Sequence, residues 1–127
     1  MFAVDNQSRI PVYEQVVAQA ERFVLTGLLQ PDVAMPSVRS LAISLSANPN
    51  TIQKAYAELE RRGITYSAPG KGSFITSDAR EKISERRRDE LGRITILAHE
   101  CAMAGIEKSL ALDAVEKGYD MKREEVS

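Results

Sequence analysis

The chain has 127 residues, enough for one modest domain with a helical appendage. Its apolar share of 43% is ordinary for a folded protein. No apolar run approaches the ~20 residues that span a bilayer, so we expect no membrane segment. The N-terminus does not resemble a signal peptide, so we do not expect secretion. The formal net charge is −1, and the single cysteine, Cys101, excludes an internal disulfide framework and fits a reducing cytosol.

The first predicted element is a helix that begins near Pro11, after an extended lead-in over residues 1–10. Proline suits the first turn of a helix and disfavours helical geometry in the residue before it. We expect Gly27 to end this helix by taking the left-handed conformation. Apolar residues recur at helical spacing at Val12, Tyr13, Val16, Val17, Ala20, Phe23, Val24 and Leu28.

Two short helices separated by a tight polar break are predicted next. Ser37 is a good N-cap for the second helix, and Asn48 followed by Pro49 is a good start for the third. Gly63 is expected to end the third helix. The buried faces are predicted to consist of Val38, Leu41, Ala42 and Leu45 in the second helix, and of Ile52, Ala55, Tyr56 and Leu59 in the third.

A β-hairpin is predicted after the third helix. Residues 64–67 and 73–76 are short and β-prone, and the intervening segment 68–72 supplies a proline and two glycines for the turn. Strands this short are marginal alone, so they should pack against the helices. The order of helix, turn, helix and hairpin favours a winged helix-turn-helix, whose second motif helix can enter a major groove.

The remaining residues, 77–127, are expected to form a separate helical segment. One helix is predicted over residues 79–104, polar in its first half and apolar along one stripe in its second, followed by a weaker helix over 107–119. The charged end, 120–127, is expected to fray. The stripes are compatible with packing on the first domain and equally with pairing between two copies. The residues that we assign to dimerisation are Leu91, Ile94, Leu97, Ala98, Cys101, Leu110 and Val115.

The third helix carries residue types that read DNA on the side away from its apolar stripe. Asn and Gln can make paired hydrogen bonds to adenine, Thr offers a hydroxyl and a methyl group, and Lys reaches guanine or phosphate. The candidates are Asn50, Thr51, Gln53 and Lys54. The same pattern is equally compatible with the solvated face of a structural helix.

Two further positions flank this helix. We assign Ser37 and Arg39, at the start of the second helix, to DNA binding, because the Arg39 guanidinium and the free backbone N–H groups there can meet a phosphate. Gly70, Lys71 and Gly72 would form the tip of the wing, where glycines permit close approach and lysine adds charge. Taken alone, a surface arginine and a plain hairpin turn explain these positions as well.

The net charge of the chain does not favour binding to DNA. Residues 1–76 hold seven Lys and Arg against six Asp and Glu, so binding must come from local clustering. The run Arg86–Arg88 lies among carboxylates and is better explained by pairing within its helix. His99 and Cys101 fall on different helical faces, and no nucleophile with a base, phosphate loop or carboxylate dyad is visible. We therefore expect no enzyme, cofactor or metal.

Over roughly residues 10–76 the chain resembles the N-terminal reader domain of GntR-type bacterial transcription regulators. The matching blocks are IPVYEQV, MPSVRSLA, NPNTIQKAYAELERRG and GKGSFI. The short helical tail is similar to that of the YtrA subfamily, whose members dimerise through two C-terminal helices. The resemblance implies that Arg39 contacts the DNA near the groove entrance and that residues 70–72 form the wing contact. It also implies that the residues facing the operator are Asn48, Asn50, Thr51, Gln53 and Lys54.

The chain departs from the family pattern at two turns. Asp32 follows the loop proline where the family usually has Gly-Asp, and Ser46 stands between the helices where glycine is frequent. Aspartate tolerates left-handed geometry better than most residues, so the first turn can survive. We expect the turn at Ser46 to be slightly strained or rearranged.

The sequence therefore predicts a mainly α protein with a small β-hairpin, built from a winged helix-turn-helix over 1–76 and a two-helix dimerisation segment over 77–127. The predicted function is a cytoplasmic, sequence-specific transcription regulator, a repressor, that binds palindromic double-stranded DNA as a homodimer. A winged-helix adaptor that docks proteins without DNA is the alternative. A fragment of an aminotransferase-like regulator carrying pyridoxal phosphate is disfavoured because the residues after 76 are too few. The existence of a small-molecule effector stays open, as do the roles of His99 and Cys101.

Overall fold

The computed structural model describes residues 1–121. Of the end that we expect to fray, 120–127, residues 122–127 lie outside the described residues. The chain forms two compact units, Met1–Arg86 and a second unit that begins at Arg87. The elements in chain order are α1 (Val12–Leu25), α2 (Val38–Leu45), α3 (Pro49–Arg61), β1 (Thr65–Ala68), β2 (Gly72–Ile75), α4 (Ala79–Asp89), α5 (Leu91–Met103) and α6 (Lys108–Asp120). They confirm the mainly α fold with a small hairpin.

The core of the first unit forms where the apolar faces of α1, α2 and α3 meet. The four residues predicted as the buried stripe of α3 are all buried, as are Val16 and Ala20 of α1 and Leu41 of α2. Leu28, which we placed on the apolar face of α1, lies beyond the end of that helix and is 58% exposed. Gly27 takes φ +81 just after α1, as predicted for a helix stop.

The wing contains an edge that the sequence did not predict. β1 and β2 pair antiparallel from Thr65 opposite Ile75 to Ala68 opposite Gly72, one residue closer to the turn than predicted. The loop before α2 runs along the other edge of β2, where the backbone N–H of Met35 donates to Ser73 O at 2.8 Å. This loop carries prolines and no strand-like alternation, so its pairing leaves no local signal in the sequence.

The two turns that lack the family's glycines adopt the left-handed conformation. Asp32 has φ +63 and Ser46 has φ +51, and these are the two non-glycine residues with positive φ among residues 1–121. Asp32 Oδ1 also accepts a hydrogen bond from the hydroxyl of Tyr66 at 3.0 Å, which ties the loop to the wing. The expectation of a strained turn at Ser46 agrees with this geometry.

The N-terminal lead-in is docked on α1. Phe2 is buried and meets Phe23 edge to face at 5.0 Å between ring centroids. The side chain of Gln15 accepts from the backbone N–H of Asp5 at 2.8 Å, and that of Gln19 accepts from the N–H of Ala3 at 2.9 Å. Two side-chain amides thus supply the hydrogen bonds that a neighbouring strand would supply.

The prediction of one helix over residues 79–104 is wrong, because the helix is divided at Glu90 into α4 and α5. Arg87 and Arg93 both donate to the Glu90 carboxylate, at 3.1 and 2.8 Å, and Gly92 lowers the helix propensity beside it. Ala79 and Ile83 of α4 are buried in the first unit. That unit therefore extends beyond residue 76, where the sequence placed the boundary.

An ion network holds the C-terminal end of α3. Glu58 accepts hydrogen bonds from Arg61 at 2.6 and 2.8 Å and from Arg62 at 2.7 Å, and Arg86 of α4 approaches it to 3.9 Å. Arg62 also donates to Glu21 of α1, which is buried, at 3.1 Å. The hydrogen bonds from Arg61 and then Arg62 lower the pKa of Glu58 to about 2.

We predict that Glu58 makes the fold acid-sensitive. Its pKa is lower in the folded chain than its ordinary value of 4.5, so its stabilisation is complete above that pH and is lost as the pH falls toward about 2. The excess stability of the wild type over Glu58→Gln should therefore shrink across this range in chemical denaturation. Glu85→Gln, an exposed carboxylate of α4, is the control and should show no such trend. A constant gap for Glu58→Gln would contradict the assignment.

Candidate nucleic-acid interface

Asn48 and Pro49 form the start of α3, and the polar side of the helix faces outward. Asn48 caps the helix, its Oδ1 accepting from the backbone N–H of Asn50 at 2.8 Å, and Pro49 occupies the first helical position. Since the apolar stripe faces the core, Asn50 and Gln53 are exposed, and Thr51 is half-buried. The side chains of Asn50 and Gln53 make no hydrogen bond within residues 1–121, so both amides are available to a ligand.

Tyr56 fixes the start of α2 against α3. Its hydroxyl donates to Pro36 O at 2.6 Å, and burial raises its pKa to about 12. The prediction treated Tyr56 as one more apolar residue of the stripe, because spacing along one helix says nothing of a partner 20 residues away. The bond ties the residue two places before α2 to the buried side of α3.

At the N-terminus of α2, Ser37 and Arg39 have different roles. Ser37 Oγ accepts from the N–H of Ser40 at 3.0 Å, so the serine side chain is engaged in capping. Arg39 is exposed, and its guanidinium has no hydrogen bond or ion pair in the described part of the chain. Of the two, Arg39 is therefore the side chain free to meet a phosphate.

The tip of the wing is an exposed basic turn. Gly70 has φ +74 and Gly72 has φ +106, so glycine is required here by conformation. Nothing lies within 4 Å of a Cβ built at either position. Lys71 between them is exposed, and its backbone N–H closes the turn on Ala68 O at 2.9 Å. The wing thus presents one lysine on backbone that is open to close approach.

Lys54 lies against an aromatic ring of α1. Its Nζ lies 4.0 Å from the centroid of the Tyr13 ring of α1. The residue is exposed, and it makes no ion pair with any carboxylate of residues 1–121. Sequence spacing alone gives no indication of this contact, since it joins two different helices.

The helices α5 and α6 of the second unit carry apolar side chains that are largely exposed. No residue of α5 or α6 is buried, and five of the residues assigned to dimerisation are 40–61% exposed: Leu91, Ile94, Leu97, Leu110 and Val115. Ala98 is exposed as well, and Cys101 is half-buried. These side chains form an apolar surface on α5 and α6 that residues 87–121 leave exposed.

His99 is exposed. Residues 1–121 contain no group of His, Cys, Asp and Glu that could hold a metal ion. None of the described helices is both long and apolar enough to cross a membrane.

Known proteins similar to this chain are transcription regulators. The profile described as "Bacterial regulatory proteins, gntR family" matches residues 12–75. Over 111 residues the chain is 39% identical to the HTH-type transcriptional repressor YtrA of Bacillus subtilis (strain 168), covering 84% of this chain and 83% of that protein.

Solved structures show the same likeness. A GntR family transcriptional regulator from Listeria monocytogenes is 34% identical, with a TM-score of 0.68 over 90% of this chain and 98% of that one. The DNA-binding domain of AraR, crystallised in complex with operator ORX1, is 26% identical, with a TM-score of 0.54 over 60% of this chain and 96% of its own.

We predict that two asparagines on either side of Pro49 separate folding from binding. Asn48→Ala removes the cap of α3 and should lower the free energy of unfolding by about 1 kcal/mol. Asn50→Ala removes an exposed amide without an internal partner, so it should leave stability within about 0.5 kcal/mol and weaken DNA binding instead. Thermal melting and a gel shift measure the two effects, and equal destabilisation by both changes would contradict this division.

Proposed function

We propose that this chain, which belongs to the gntR family of bacterial regulatory proteins and is a DNA-binding transcription regulator, acts as a homodimeric repressor on a two-fold symmetric operator. The observation that carries the proposal is the outward side of α3, where Asn50 and Gln53 are exposed and lack internal partners. The protein would act in the cytoplasm, with its DNA, and without enzymatic activity or a cofactor.

In the proposed complex, α3 lies in a major groove of the DNA. Its first two turns would bring Asn50 and Gln53 to base edges, where an amide can make two hydrogen bonds to adenine. Arg39 and Lys71 would contact phosphates on either side and set the register without reading sequence. The part-buried hydrogen bond between Tyr56 and Pro36 supports this arrangement, because it fixes the start of α2 relative to the reading helix.

The apolar surface of α5 and α6 supports pairing of two copies. Fully burying one aliphatic side chain of this kind gains about 1.5–3 kcal/mol, and five lie exposed on this surface. A helical pair with no buried residue of its own has little to stabilise it alone. Association through the same surface on both copies is two-fold symmetric, which suits an operator made of two inverted half-sites.

We predict that Ile94→Asp produces monomers, because it places a charge in the proposed interface. Selection from a randomised duplex pool with the wild type should recover two inverted half-sites, which the monomer should bind far more weakly. Sedimentation equilibrium measures the oligomeric state. Met103→Asp is the control, because Met103 is 77% exposed and lies off the stripe, and it should stay dimeric. A wild-type monomer, or recovery of a single unrepeated site, would contradict the dimer.

We predict that Arg39→Ala weakens binding to the selected duplex about tenfold, the loss of one charge-assisted phosphate contact, while its melting temperature stays that of the wild type. Because the contact is to phosphate, the slope of log K against log salt should become shallower by about one. Gel shifts at several salt concentrations measure both quantities.

The matched control for Arg39 is Arg88→Ala, which removes another exposed arginine far along the sequence from the reading helix. It should leave affinity and salt slope near those of the wild type. Unchanged binding by Arg39→Ala would refute the role of Arg39.

A further inference from the structure

The contact between Lys54 and Tyr13 lies outside the buried core. Tyr13 lies in the first turn of α1, half-buried against the core, and Lys54 lies on the exposed side of α3. The ammonium group is 4.0 Å from the ring centroid, within the range at which a cation is attracted to an aromatic face. A side chain of the first helix thus holds a side chain of the reading helix in one place.

We propose that Tyr13 is a positioning residue for DNA binding, which holds the Lys54 ammonium group ready to contact a DNA phosphate. This inference rests on the proposed DNA-binding function and assigns a role in it to a residue of α1. Lysine would otherwise sample many rotamers, and their loss on binding opposes association. A lysine already held in one place loses less freedom when the DNA arrives.

The ring holds Lys54 without neutralising it. Residues 49–62, all of which the structure describes, carry three cations, and two of them, Arg61 and Arg62, are paired with Glu58. Lys54 is held by an uncharged ring instead. An ammonium group has three N–H donors, and the ring covers one side of it. The full positive charge and the remaining donors stay available to an anion.

The position of the ammonium group favours a phosphate over a base edge. The contact with Tyr13 holds Nζ on the side of α3 that meets α1. DNA backbone flanks a helix that lies in the groove, so a cation at its edge meets phosphate. Tyr13 is itself held, because its ring packs on the core and its hydroxyl donates to Glu14 Oε1 at 3.3 Å.

A double-mutant cycle on the selected duplex tests the proposal. Tyr13→Leu keeps an apolar side chain against the core but removes the ring, and it should weaken binding about threefold. Tyr13→Phe keeps the ring and should bind as the wild type does. In a Lys54→Met background, which should make the salt slope shallower by about one, Tyr13→Leu should have no further effect. Tyr13→Met serves as the second ring-free variant if the leucine variant melts early.

An NMR measurement on the DNA-free protein examines the contact itself. The ε-methylene carbon of Lys54 is bonded to the Nζ atom that lies over the ring, so its protons should be shifted upfield in the wild type and in Tyr13→Phe, and unshifted in Tyr13→Leu. Unshifted protons in the wild type would overturn the proposal whatever the DNA result. An equal loss from Tyr13→Leu in both backgrounds would overturn it too, as would a loss from Tyr13→Phe as large. If the wild type selects no duplex, the proposed function fails, whereas these other outcomes leave it standing.

Discussion

The burial of one side of α3 is the constraint on which the rest of the first unit depends. Ile52, Ala55 and Leu59 have no exposed surface at all, and α1 and α2 both pack against this stripe. An amphipathic helix that buries three consecutive turns in this way has no rotational freedom about its axis. The polar residues opposite are therefore aimed outward by packing, although none of them contributes to the core. Reading DNA with this helix, as we propose, would use a direction that hydrophobic burial has already set.

The placement of the charged side chains also matters for DNA binding. The chain has a net charge of −1, yet long-range attraction to DNA requires positive charge at the contact surface. The structure separates the cations by environment. At the C-terminal end of α3, Arg61 and Arg62 are bound to Glu58, whereas Arg39 and Lys71 are exposed without a carboxylate partner among residues 1–121. Carboxylates thus neutralise the two arginines at the C-terminal end of α3 and leave Arg39 of α2 and Lys71 of the wing uncompensated, so overall composition is a poor guide to binding here.

Local signals in the sequence predicted most of the fold. Caps such as Ser37 and Asn48 and the spacing of apolar residues depend on neighbours within one turn, and both helices begin where these residues indicated. The bond from Tyr56 to Pro36 and the contact of Lys54 with a ring of α1 join residues far apart in sequence, so no periodicity reports them. The residue types of the candidate site were thus predictable, while the contacts that position them required the fold.

The second unit shows the limit of the same reasoning. Its stripe of apolar residues was visible at helical spacing, but a stripe alone does not say what covers it. In the first unit the corresponding stripes are buried, whereas no residue of α5 or α6 is. Exposed apolar surface of this kind is unfavourable in water, and monomeric proteins rarely expose large apolar patches. We propose a second copy as the partner, since it supplies an identical stripe, and because such pairing would be two-fold symmetric, these helices would set the arrangement of the half-sites that the regulator recognises.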